Sequence, residues 1–137
     1  MVNAETGRMT PSWEELQPGQ RVGPIEHDVT PAMVDAFLAT MGAATDRRAL
    51  AGEPMPPTLL ATDYVLLLHG VLELGHGLMR SHETIVHRPV PVGARVEMAG
   101  EIIDKFVRKG RNYWTLEYHV AANGERCITY IVTCSVN

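Results

Sequence analysis

The sequence predicts an α+β domain in which an antiparallel sheet wraps around one long buried helix. Three observations predict it: a stretch from Thr58 to Leu74 that is apolar on nearly every side, a C-terminal half that alternates apolar and polar residues, and the hairpin signals Lys109-Gly110 and Asn123-Gly124. A helix apolar all round has to be buried. Strands joined by tight hairpins run antiparallel. Curling such a sheet about such a helix covers both apolar surfaces at once.

Composition sets the frame for these elements. The chain has 137 residues, 45% hydrophobic and 20% charged, which suits one core without disulfides or a structural metal. Residues 1–137 read as a single domain, with 1–11 as a loose tail. A formal net charge of −4 argues against nucleic acid as a partner. No uncharged apolar run is long enough to span a membrane. The N-terminus lacks the apolar core of a secretory signal, so a cytoplasmic location is expected. Cys127 and Cys134 fall seven positions apart in one apparent strand, about 23 Å at the usual strand rise. They are expected to remain reduced. Without a Cys-x-x-Cys and with scattered histidines, no metal site or other cofactor is expected.

Each element can be justified in order. Ser12-Trp13-Glu14-Glu15 has the spacing of a capping box and predicts a short helical turn. Residues 21–28 fit a first strand. Thr30 suits an N-cap and Pro31 the first helical position; Val34, Phe37, Leu38 and Met41 follow at helical spacing, and Gly42 ends the run. Ala43 to Pro57 reads as a loop. From Thr58, the residues Leu59, Leu60, Tyr64 to Leu68, Val71, Leu72 and Leu74 cannot share one stripe, so a buried helix of about 25 Å is predicted. Its polar residues Thr62, His69 and Glu73 share a face, with Asp63 beside them. His69 is expected to be a buried hydrogen-bonding group. Beyond the helix, Val96, Met98, Gly100 and Ile102 predict one inward strand face. Trp114, Leu116, Tyr118 and Val120 predict the next, and Ile128, Tyr130, Val132, Cys134 and Val136 the last.

Two segments carry a family resemblance. His87-Arg88-Pro89-Val90-Pro91-Val92-Gly93 resembles the segment that opens the middle strands of MaoC-like hydratases and 3-hydroxyacyl carrier-protein dehydratases. Pro56-Pro57-Thr58-Leu59-Leu60 resembles the opening of the central helix in MaoC-like halves akin to the fatty-acid-synthase dehydratase region. The helix after Thr30 is similar to their first helix, so the likeness extends over about residues 12–136. It implies a hotdog fold, a dimer with its site between subunits, and addition or removal of water on acyl-CoA or acyl-carrier-protein thioesters.

That chemistry needs an acid or base and a set of donors for the thioester oxygen. Pro56 and Pro57 have no N–H, so the first free amides at a helix start would be those of Thr58 and Leu59. The resemblance assigns the oxyanion donor to about Thr58, and Leu60 and Tyr64 are expected to line an acyl tunnel. The catalytic pair of the family, an Asp with a His five residues on, is missing after the first helix, where Asp46 stands without a histidine. A second alignment, on Pro54 to Asp63, places Asp63 at the catalytic carboxylate of the carrier-protein dehydratases, although no histidine lies between Pro31 and Thr58 to partner it. Asp63 and Asp46 are thus the candidate proton carriers. His82 has a site role only if its strand end lies near the helix start of a partner subunit; His87 reads as structural. Lys105, Arg108, Lys109 and Arg111 cluster at a hairpin and either meet phosphates or are simply solvated.

The reading is a hydratase or dehydratase of enoyl or 3-hydroxyacyl thioesters, as a homodimer or paired with another hotdog chain. One alternative is a non-catalytic acyl-binding subunit of a heteromeric dehydratase. The other is a hotdog acyl thioesterase.

Overall fold

The computed structural model describes residues 12–42, 48–69, 71 and 77–136. The elements are a single 3-10 turn (Trp13–Glu15), β1 (Arg21–Asp28), α1 (Pro31–Thr40), α2 (Tyr64–Leu68), β2 (Leu78–Val86), β3 (Arg95–Arg108), β4 (Arg111–Ala122) and β5 (Glu125–Val136). The strands form one antiparallel sheet in the order β1-β3-β4-β5-β2.

The hairpins set the register. Lys109 and Gly110 at one turn, and Asn123 and Gly124 at the other, all take positive φ, the conformation that matches the twist of two-residue hairpins. Alternation then sorts the faces. Val96, Met98, Ile102, Trp114, Leu116, Tyr118, Tyr130 and Val132 are buried on the inner face, as the sequence predicts. Helix α1 also forms as predicted: the Thr30 hydroxyl accepts from the Met33 amide at 3.2 Å. The Ser12–Glu15 turn forms, but Ser12 makes no capping bond. Instead Lys105 Nζ donates to the carbonyls of Trp13, Glu14 and Leu16 at 3.2, 3.1 and 3.0 Å and lies over the Trp13 ring. That engagement fits neither alternative for Lys105, which is held inside the protein instead of being solvated or free for a phosphate.

The two segments that carry the resemblance meet in space. Met55 N–H donates to Val90 O and Gly52 N–H to Val92 O, while Val92 N–H donates to Glu53 O. Val90 and Val92 are buried. The crossing from β2 to β3 therefore clamps the chain immediately ahead of Pro56, which fixes where the central segment begins.

That central segment differs from its prediction. Regular α-helix covers only Tyr64–Leu68; residues 70 and 72–76 lie outside the described residues. From Pro56 to Asp63 the amides bond three residues back: Leu59 to Pro56 O, Ala61 to Thr58 O and Asp63 to Leu60 O. The physical reason lies in the sheet. Tyr118 Oη donates to Leu60 O and Ala61 O, both at 2.8 Å, and Tyr130 Oη donates to Pro57 O. These are carbonyls that an α-helix would use for its own amides. Burial is also one-sided: Leu60, Leu67 and Leu68 are buried while Val65 and Leu66 are exposed.

Candidate active site

Asp63 sits immediately before α2, with 19% of its side chain exposed. Its Oδ2 lies 3.3 Å from Nε2 of His27, a residue of β1 whose side chain is 22% exposed. His27 Nε2 is shielded from solvent and has no bond of full hydrogen-bond geometry, so the contact is an ion-pair approach and not an aligned hydrogen bond. Burial pushes the Asp63 carboxyl above its ordinary value, and the neighbouring His27 pulls it partly back. A carboxyl held in this way can both take and return a proton.

His27 is the residue that the sequence reading missed, because the search for a partner began after Pro31. Its signal was weak but present. Val22, Ile25 and His27 are the less exposed positions of β1, and a register shift between Val22 and Ile25 turns His27 to the same side. A histidine in phase with the apolar positions of a strand faces the core.

The other candidates separate. Thr58 is exposed, and its amide has no partner among the described residues. The Leu59 amide is spent on Pro56 O at 3.0 Å, because two successive prolines close a tight turn there; Leu59 is thereby removed as an oxyanion donor. Leu60 is buried. Tyr64 is half-buried, its ring 6.0 Å from that of Trp114. It also neighbours Cys134, whose thiol is pushed up to about 11 by burial and so stays protonated. Asp46 falls outside the described residues.

The remaining histidines take different places. His69 is exposed, in contrast to its predicted burial, because α2 ends at Leu68 and leaves it outside the core. His82 pairs with Val132 on the inner face and packs on the Tyr130 ring at 5.7 Å; its Nε2 is buried without a partner among the described residues. His87 Nε2 and His119 Nδ1 both bond Thr129 Oγ1, at 2.9 and 2.8 Å, on the outer face. The structural reading of His87 agrees with this placement. Arg108, Lys109 and Arg111 are exposed at the β3–β4 turn.

Five antiparallel strands in this order around a central helical segment make the hotdog fold. Solved structures that match the chain share it. A monoamine oxidase regulatory protein from Archaeoglobus matches at TM-score 0.74 and 15% identity, over 94% of this chain and 97% of its own. An R-hydratase from Pseudomonas aeruginosa matches at TM-score 0.68 and 15% identity, over 90% and 84%. A 3R-hydroxyacyl-ACP dehydratase complex from Mycobacterium tuberculosis matches at TM-score 0.69 and 13% identity, over 85% and 94%. MaoC-like dehydratases also share the fold. No family model and no curated protein sequence matches the chain.

Proposed function

We propose that this chain adds water to, or removes it from, an enoyl or 3-hydroxyacyl thioester, with Asp63 as the proton carrier and His27 as its partner. The observation that carries the reading is the 3.3 Å approach of a half-buried, pKa-raised carboxyl to an imidazole. It is supported by a fold shared with an R-hydratase and a hydroxyacyl dehydratase. Dehydration removes a proton α to the thioester and returns one to the leaving hydroxyl. A carboxyl whose burial disfavours its charge suits both steps. The Thr58 amide, free among the described residues, is the donor available for the thioester oxygen.

The reading includes a second hotdog chain. Val65 and Leu66 on α2, with Leu78, Met79, Ile85 and Val86 on β2, leave large apolar side chains exposed, and β2 is an edge strand. An open apolar edge calls for a partner. Purified chain, alone, should consume a crotonyl thioester by loss of its enoyl absorbance, and Asp63→Asn should abolish that loss. Absence of turnover by the correctly folded dimeric parent would overturn the proposal.

A second reading rests on the same carboxyl. Asp63 could direct a water at the thioester carbonyl, which is thioesterase chemistry. Release of free thiol, absent in the first reading, identifies it.

A further inference from the structure

We propose that Tyr118 and Tyr130 are positioning residues: their hydroxyls stand in for backbone bonds of the segment before α2, keep it from winding into α-helix, and so hold Asp63 against His27. The consequence for turnover rests on the dyad reading above; the consequence for Asp63 does not.

The argument begins with the bonds an α-helix would make. Helical pairing joins the Tyr64 amide to Leu60 O and the Ala61 amide to Pro57 O. Both carbonyls are occupied from the sheet. Tyr118 Oη donates at 2.8 Å to Leu60 O, and equally to Ala61 O. The hydroxyl thus occupies carbonyls that helical amides would use. Tyr130 acts one turn earlier: it donates to Pro57 O, the acceptor that the Ala61 amide would use in a helix. Deprived of these acceptors, Ala61 turns to Thr58 O and Val65 to Thr62 O.

Both hydroxyls are built for the task. Tyr118 and Tyr130 are fully buried, face each other across β4 and β5, and pack with ring centroids 4.9 Å apart and planes tilted by 30°. Burial raises the pKa of each phenol far above neutrality, so each remains a donor. An α-helix turns by 100° per residue and a 3-10 turn by 120°. Rewinding the residues from Pro57 to Asp63 as α-helix would therefore rotate the Asp63 side chain well away from β1. The tight turns bring it to His27, which arrives from an element more than thirty positions earlier in the chain.

The test is a titration of the full-length chain, labelled with carbon-13 and nitrogen-15, following the Asp63 carboxyl carbon and the His27 imidazole by NMR. In the parent the Asp63 midpoint lies above the ordinary carboxyl value. In Tyr118→Phe, the Asp63 midpoint should move, while helical ellipticity at 222 nm rises as the freed carbonyls accept helical bonds. In turnover, kcat should fall about tenfold with KM within about twofold. Tyr130→Phe should move the Asp63 titration in the same direction by less, and it carries the test if Tyr118→Phe fails to fold. An unchanged Asp63 titration in the folded variant would overturn the inference, as would a moved Asp63 midpoint with no gain in helicity. If the titration shifts as expected while the parent hydrates no enoyl thioester, the positioning inference stands and the functional proposal fails.

Discussion

The two faces of one sheet satisfy their polar groups in opposite ways. On the outer face the partners belong to the sheet or adjoin a strand end. Thr115 and Thr133 bond across β4 and β5 at 2.8 Å; Thr129 joins His87 and His119; Arg80 Nε donates to Ser135 at 3.0 Å. On the inner face Tyr118 and Tyr130 reach off the sheet to the backbone of residues 57–61. Closed polar pairs stabilise the sheet without committing it to anything else. Hydroxyls spent on a neighbouring segment dictate that segment's shape, and here the segment carries Asp63. The outer face is therefore a stability device, and the inner face a device for geometry.

Substitutions can break this contrast, and the largest effect is expected on the inner side. Asp63→Asn should lower kcat by about 10³-fold, within the range for a positioned acid or base, while raising thermal stability at neutral pH. The sign follows from burial. Between the ordinary carboxyl value of 3.8 and its raised value, the folded state holds a proton that the unfolded state has released, so stability falls as pH rises. Above that window the parent bears the full cost of a shielded charge and the variant bears none. Thermal unfolding of both proteins from acid to neutral pH should show their difference shrinking to nothing below that window.

A smaller loss is expected where the two faces share backbone. A Cβ on Gly100 would come within 2.3 Å of Glu117 O and 2.7 Å of Tyr118 Cα. Since backbone cannot yield as a side-chain tip would, Gly100→Ala should cost about 3 kcal/mol in denaturant unfolding. It should also disturb Tyr118, and with it turnover in the protein that remains folded. The smallest effect belongs to the outer face. Thr129→Val leaves two imidazole nitrogens without their shared hydroxyl and should cost about 1–2 kcal/mol. Its kcat should match the parent's, and a fall in kcat would erase the proposed division between the faces.

The same division explains what could be read from the sequence. The sheet was legible because its determinants are local: alternation along Trp114 to Val120, and turn residues that tolerate positive φ at 109–110 and 123–124. Helix α1 was legible from Thr30 and Pro31 for the same reason. The start of the central helix was not, since the hydroxyls that interrupt it lie 58 and 73 positions downstream. Local apolar content at residues 58–74 is equally consistent with a helix or with a run of tight turns. The pairing of Asp63 with His27 was hidden for a similar reason: a bulge in β1 decides which way His27 points. Asp63 itself was found because a carboxylate in apolar surroundings is costly unless it is used.

The most direct measurement is a double-mutant cycle on crotonyl-thioester hydration with the parent, His27→Gln, Asp63→Asn and the double variant. If the two residues act as one proton-handling unit, the double variant should be no slower than Asp63→Asn alone. Losses that simply multiply, or a His27→Gln protein as fast as the parent, would contradict the account.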